Sequence, residues 1–242
     1  MSAAPHPRTW LAPGRVAVAL EGSHRPASVA IAAGGDPPVE SQGSGSHGSD
    51  LLPLLSGELA RRRLGVSAIE RLVVGLGPGS FTGLRVVSAK AQGLARALDL
   101  ELLGLPSIEA RLFAKLQPGQ LGLLLADARG GLFTLGCYAH TGTDLVALDP
   151  VVARPAEATA QQLGAWAASR SPASGVRWFA EAGAAQALGP AGARLPAFES
   201  APPASAAALL TLAQARFERS GFEGFSGAEP LYLAEFWVRS ML

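Results

Sequence analysis

One cysteine, two lysines and four scattered histidines set the first limits on this 242-residue chain. Cys137 stands alone, so an internal disulfide is excluded and a reducing, cytoplasmic setting is expected. His6, His24, His47 and His140 include no pair at helical ligand spacing, and no cysteine cluster accompanies them, so no metal centre is expected. Charged residues make up only 16% of the chain and the formal net charge is +1. A strong electrostatic surface for nucleic acid is therefore not indicated. No apolar run is long enough to span a bilayer, so no membrane contact is expected. Residues 1–14 lack the continuous apolar stretch of a signal peptide and read as a short disordered leader.

What the chain does hold is large enough for one big domain or two small lobes. The stretch from Ile69 to Leu76 is apolar and rich in β-branched residues, the mark of a buried strand. Gly77, Pro78 and Gly79 then force a tight turn, and Ser80 or Thr82 is placed to cap a following helix. At about 100° per residue, Leu84, Val87, Ala91, Leu94 and Leu98 form one stripe of that helix, suited to packing on a sheet. Thr82, Val86, Ala89, Gly93 and Ala97 form a second stripe of small residues on the opposite side. A helix with one core face should have a polar back. This one does not, so its back meets either another molecule's helix or a second layer of the same chain.

The turn fits no familiar nucleotide motif. Gly83 is followed by Leu84 and Arg85 where a P-loop needs Lys and Ser/Thr. Ser80 stands where the dinucleotide fingerprint needs a third glycine, and Pro78 and Thr82 replace the glycines of a nucleophile elbow. Two readings stay open: an anion held at the helix N-terminus, or a well-capped structural turn.

Around this motif the order is strand (16–20), strand (27–33), a short strand near 38–42, helix (51–64), strand, helix, strand (100–105). That alternation gives an α/β lobe with a mixed sheet. Ser49 or Asp50 is placed to cap the 51–64 helix, and Arg61, Arg62 and Arg63 complement its dipole at the other end. Downstream, a hairpin turns at Asp127-Ala128-Arg129-Gly130-Gly131, with a third strand at 145–147, a helix at 156–169, a strand at 176–180 and an alanine-rich helix at 203–219. Asp127 and Arg129 read as an ion pair within the turn. No internal repeat is evident.

The run Gly75-Leu76-Gly77-Pro78-Gly79-Ser80-Phe81-Thr82-Gly83-Leu84-Arg85, with the small-residue helix after it, resembles the signature of the bacterial tRNA threonylcarbamoyladenosine biosynthesis family TsaB. Gly104-Leu105-Pro106-Ser107-Ile108-Glu109-Ala110, the aspartate-alanine-arginine turn and Pro230-Leu231-Tyr232-Leu233 extend the resemblance, with Phe236, Trp237, Val238 and Leu242 expected to dock on the body. The resemblance implies an α/β, two-lobed actin-like and sugar-kinase-like (ASKHA, ribonuclease H-like) fold with mixed sheets, here divided as 15–106 and 107–242. It also implies a non-catalytic subunit. Its partners would be a TsaD-like protein, which carries the family's metal-binding histidine pair, and a TsaE-like ATPase, with tRNA met only indirectly. No cofactor is expected; ATP or ADP would enter only within the complex.

On this reading the partner face comprises Leu51, Leu52, Leu55, Thr82, Val86, Ala89, Lys90, Gly93 and Ala97, and the same helices could pair with a second copy. Glu21, Ser23, Gly77, Gly79 and Ser80 form the possible anion or nucleotide site. The family writes Asp-Thr-Ser where Glu21-Gly22-Ser23 stands, and His47-Gly48-Ser49-Asp50-Leu51 matches its pattern only in part. The competing reading is a small ATPase or phosphotransferase using the Gly77–Thr82 loop and Glu21. The chain has no serine, histidine and acid set for a peptidase.

Overall fold

The computed structural model describes residues 9–44, 48–169, 175–192, 195–227 and 229–231. His47 and the apolar residues from Tyr232 onward lie outside them. By their contacts the residues divide into two compact units. The first takes the chain up to Ala110 and resumes at Ala204; the second runs Arg111–Pro203.

The first unit is built on strands β1 (Val16–Glu21), β2 (Ser28–Ala33), β3 (Val39–Gln42), β4 (Ile69–Gly75) and β5 (Leu102–Leu105), in the order β3-β2-β1-β4-β5. β2 runs antiparallel to β1 and β3, while β4 and β5 continue parallel to β1. Every residue of β1 is buried, which a strand achieves only with packing on both faces of its sheet. Helix α1 (Leu51–Arg61) packs on β2, α2 (Phe81–Leu98) packs on β4, β1 and β5, and the short α3 (Ser107–Phe113) follows β5 in the chain.

The second unit repeats the plan. Strands β6 (Leu121–Arg129), β7 (Leu132–His140), β8 (Leu145–Ala147), β10 (Val176–Ala180) and β11 (Glu199–Ser200) stand in the order β8-β7-β6-β10-β11, with β7 antiparallel to β6 and β10 and β11 parallel to it. A short β9 (Ala153–Pro155) pairs β7 lower down, before α4 (Ala156–Ser169). Read from the first strand of each unit, the order and directions are the same. The duplication is structural, with no repeat in the sequence to announce it. Two such mixed sheets, each with its second strand reversed, are the actin-like, ribonuclease H-like (ASKHA) fold.

Several local expectations change. Residues 9–14 are not a loose leader: Trp10 is buried with its ring 5.2 Å from that of Phe217, and the Ala12 N–H donates to Glu70 Oε2 at 2.8 Å. Asp127 and Arg129 are joined by the Arg129 backbone N–H donating to Asp127 Oδ1 at 2.7 Å, at a β-bulge, rather than by an ion pair. Asp50 precedes α1 without capping it: its backbone, at φ −96° and ψ 2°, is not the extended one of a cap, and its Oδ2 accepts the Ser44 N–H at 2.7 Å. Between β10 and β11 lies the short α5 (Ala184–Ala187). Helix α6 (Ala206–Ser220) is capped by Ser205, whose Oγ accepts from Ala208 N–H at 3.2 Å, and it packs on β1, β2 and β4 of the first unit.

Candidate functional site

Two places in the first unit hold the residues singled out from the sequence: the glycine turn between β4 and α2, and the outward face of α1 and α2.

At the turn, the N–H groups of Gly77, Ser80 and Gly83 and much of the space are taken up by the chain itself. The Ser80 N–H donates to Ser23 O at 2.6 Å, the Ser23 N–H donates to Glu21 Oε1 at 2.6 Å, and Ser80 Oγ accepts the Gly83 N–H at 3.2 Å. Gly77 exchanges hydrogen bonds with Ser107, donating to its Oγ at 3.0 Å and accepting its N–H at 2.7 Å. The glycines are needed for close approach. A Cβ on Gly79 would sit 2.2 Å from Ser23 O, and one on Gly83 would sit 2.2 Å from Gly22 O. Both are backbone atoms and cannot rotate away. So Glu21, Ser23, Gly77, Gly79 and Ser80 do come together, with the Gly22-Ser23 segment lying over the start of α2 where an anion would sit. Glu21 is buried at the end of β1, and its Oε2 has no hydrogen-bond partner. That oxygen crowds Gly75, on which a Cβ would come within 2.3 Å.

The α2 face is arranged differently. Leu84, Val87, Ala91 and Ala95 are buried toward the sheet. Thr82, Ala89, Gly93 and Ala97 are exposed and Val86 is half-buried, so among the described residues none covers most of the small-residue stripe. A Cβ on Gly93 would meet nothing within 4 Å. Leu52, Ala89, Lys90, Gly93, Leu94 and Ala97 line one open, apolar groove of about 490 Å³. Phe81 extends the apolar surface at the N-terminal end: it is 46% exposed, with the Arg85 guanidinium 4.3 Å from its ring centre.

Placement corrects the α1 side of the expected face. Leu51 (0% exposed) and Leu55 (3%) are core residues packed inward, while Leu52 (38%) is on the surface. The apolar run 51–55 cannot reveal this, since leucines there point in more than one direction. Leu94, assigned to the sheet by its helical angle, is only half-buried and lines the groove. Phe81 carried no periodicity signal, because it is the first residue of the helix. Lys90 is a clamp: its Nζ donates to Gly48 O and Ser49 O, both at 2.7 Å, tying α2 to the segment that leads into α1. At the other end of α1, Glu58 accepts from Ser41 Oγ and Arg61 and from Arg62 Nη1 at 2.7 Å. These donors, the Arg61 guanidinium foremost, hold its carboxyl well below the usual range, at about 2.

Among the described residues, no three or more His, Cys, Asp or Glu converge as a metal site would require, and no helix is long and apolar enough to cross a membrane.

The paired mixed sheets and the α1–α2 face define an actin-like α/β chain with an uncovered helix. Residues 31–184 match the family described as TsaD: tRNA N6-adenosine threonylcarbamoyltransferase. The chain belongs to this family, and within it to the TsaB/YeaZ group. It is 34% identical over 115 residues to the tRNA threonylcarbamoyladenosine biosynthesis protein TsaB of Haemophilus influenzae, covering 46% of this chain and 49% of that one. It is 36% identical over 62 residues to TsaB of Escherichia coli, covering 26% and 27%. The aligned stretches thus span about half or less of these curated relatives. Among solved structures, YeaZ from Pseudomonas aeruginosa superposes with a TM-score of 0.72 at 26% identity, over 90% of this chain and 100% of that one.

Proposed function

We propose that this chain is the non-catalytic, activating subunit of a tRNA N6-threonylcarbamoyladenosine assembly, and that it docks a TsaD-like subunit on the α1–α2 face. The observation that carries the reading is the uncovered stripe of Thr82, Val86, Ala89, Gly93 and Ala97 beside exposed Leu52. Small residues let two helix backbones approach closely, and burying such a stripe against a second helix removes apolar surface from water. Family membership supports t6A biosynthesis as the setting.

On this reading the threonylcarbamoyl group passes to the adenosine beside the anticodon on the partner, and this chain contributes no reacting atom. Its contribution is differential binding: a surface that fits one conformation of the partner raises that conformation's population. A tenfold rise takes about 1.4 kcal/mol of differential affinity. A TsaE-like ATPase is a further partner, tRNA is met only through the assembly, and ATP or ADP enters only there. The N–H groups of Gly77, Ser80 and Gly83 are committed within the chain, and the close packing of Gly79 and Gly83 against Ser23 and Gly22 leaves little room at the turn; both speak against an independent ATPase.

The test is reconstitution. Mixed with a purified TsaD-like protein, the chain should co-elute with it on size exclusion and raise tRNA modification. Ala89→Arg should abolish both while leaving the circular dichroism spectrum unchanged. If the proteins do not associate, or if Ala89→Arg associates normally, the reading fails.

A further inference from the structure

In the second unit, strand β7 ends on a histidine that is tied into the turn it begins. His140 is 6% exposed, and its ring stacks on Phe113 of α3, with centroids 4.9 Å apart and 12° between the planes. Its backbone is held by the 117–120 loop: the His140 N–H donates to Gln120 O at 2.9 Å, and the Gly119 N–H donates to His140 O at 2.8 Å. The side chain closes the turn, with Nδ1 accepting the Gly142 N–H at 2.9 Å. Asp144, also buried, closes the other half. Its carbonyl oxygen accepts the Thr141 N–H at 2.9 Å and the Thr141 hydroxyl at 3.0 Å, and its Oδ1 accepts the Leu145 N–H at 2.7 Å. Between these two buried residues, Thr141, Gly142 and Thr143 are exposed. Beyond the turn, β8 is an edge strand that pairs with β7 at three positions, the one nearest the turn being Leu145 against His140.

A backbone N–H can only donate, so the bond from Gly142 fixes the neutral ring as the tautomer with Nδ1 bare and its proton on Nε2. A proton arriving on Nδ1 sets donor against donor, and the Gly142 bond breaks. Burial makes the pocket resist that proton and holds the imidazole below its ordinary value, while Asp144 pulls the other way with the weaker effect. Asp144 is the charged group that acts on the ring. From the other elements, α3 faces it with the Phe113 ring, the 117–120 loop meets it through backbone groups, and β8 sets Leu145 opposite it. We infer that the β7–β8 turn is a proton-sensitive latch: when His140 Nδ1 takes up a proton, the turn opens and β8 frays from β7 at its Leu145 end, uncovering that edge of the second sheet. The α1–α2 face takes no part in it.

Hydrogen exchange and NMR on the full chain and its His140→Asn variant decide it. Asparagine sets its Oδ1 near the place of Nδ1, so it can accept the Gly142 N–H but cannot titrate. In wild type at neutral pH, long-range nitrogen–proton correlation should show a protonated Nε2 and a bare Nδ1. Protection of the Gly142 and Leu145 amides, corrected for intrinsic exchange, should fall at least about five-fold between about pH 7.5 and about pH 5, against a ceiling of about thirty-fold for an opened ring titrating at its ordinary 6.5. Amides of β6 should keep their protection across that range, which separates a local opening from loss of the fold. In His140→Asn the same two amides should change less than about two-fold. A wild-type ring with its proton on Nδ1 at neutral pH, or Gly142 protection that does not move between the two conditions, overturns the latch. So does a His140→Asn variant that keeps the wild-type pH dependence. Should His140→Asn fail to fold, wild type decides alone: the Gly142 amide shift must titrate together with the His140 ring carbons, and an amide that stays still while the ring titrates overturns the latch.

Discussion

The backbone N–H of Ser80 donates to the carbonyl oxygen of Ser23 at 2.6 Å, joining the start of α2 to the loop that leaves β1. The first free donor of a helix is thus satisfied from within, and a Cβ on Gly79 would strike the same carbonyl at 2.2 Å. Gly79→Ala should therefore lower stability by about 2 kcal/mol or more, read as a shift in the denaturant midpoint. Titration of the isolated wild-type chain with Mg-ATP should give no binding heat. Saturable heat that Gly79→Ala removes would mean that the Gly22-Ser23 segment yields to an anion.

Glu58 makes stability depend on acid. Its folded-state pKa is about 2 against 4.5 for the free side chain. The contribution is therefore complete above about 4.5, falls as the pH drops toward 2, and is gone below it. Because Arg61 is mostly exposed, about 1–2 kcal/mol is expected at neutral pH rather than the full shift. Glu58→Gln should be less stable by that amount at pH 7, and the two proteins should converge by about pH 2. A constant gap across that range would rule out titration of this carboxyl as its origin.

Asp99 ends α2 in the left-handed region, with φ 53° and ψ 47°, and its N–H donates to Ala95 O. Glycine holds that conformation without a Cβ penalty. Asp99→Gly should raise stability by about 0.5–1 kcal/mol, seen as a higher Tm, with the partner face unaffected because the site lies past the stripe.

Lys90 reaches two carbonyls at 2.7 Å each. Lys90→Met keeps the aliphatic stem and removes the donors. It should cost about 1–2 kcal/mol in stability and speed hydrogen exchange at the start of α1 more than in the middle of α2. Uniform exchange changes would show that the clamp has no local effect.

The alternation of apolar strands and turn residues made the first sheet legible, down to β4, the glycine turn and the two stripes of α2. The cap at Ser80 and the span 156–169 were equally plain, since caps and periodicity are local signals. What stayed hidden is long-range. Nothing in residues 203–219 says that α6 crosses back to β1 and β2, because an alanine-rich helix fits many surfaces. Trp10 sits in a proline- and alanine-rich stretch, and it is buried against the ring of Phe217, far along the chain. At the site, the open stripe was visible as a period, whereas the burial of Leu51 and Leu55 was not, for α1 has apolar residues on more than one side. Likewise the filling of the glycine turn by Gly22 and Ser23 depends on atoms some sixty residues away in sequence.

Gly93 is the most direct probe of the docking face, since a Cβ there meets nothing among the described residues within 4 Å. Leucine at this position should leave folding intact, apart from the modest gain of replacing a helical glycine. Calorimetric titration of a TsaD-like protein with wild type and with Gly93→Leu is the deciding measurement. The account predicts at least about a hundred-fold loss of affinity for the variant, with its Tm unchanged or higher, as overfilling a close helix crossing demands. Equal affinities for the two would contradict it.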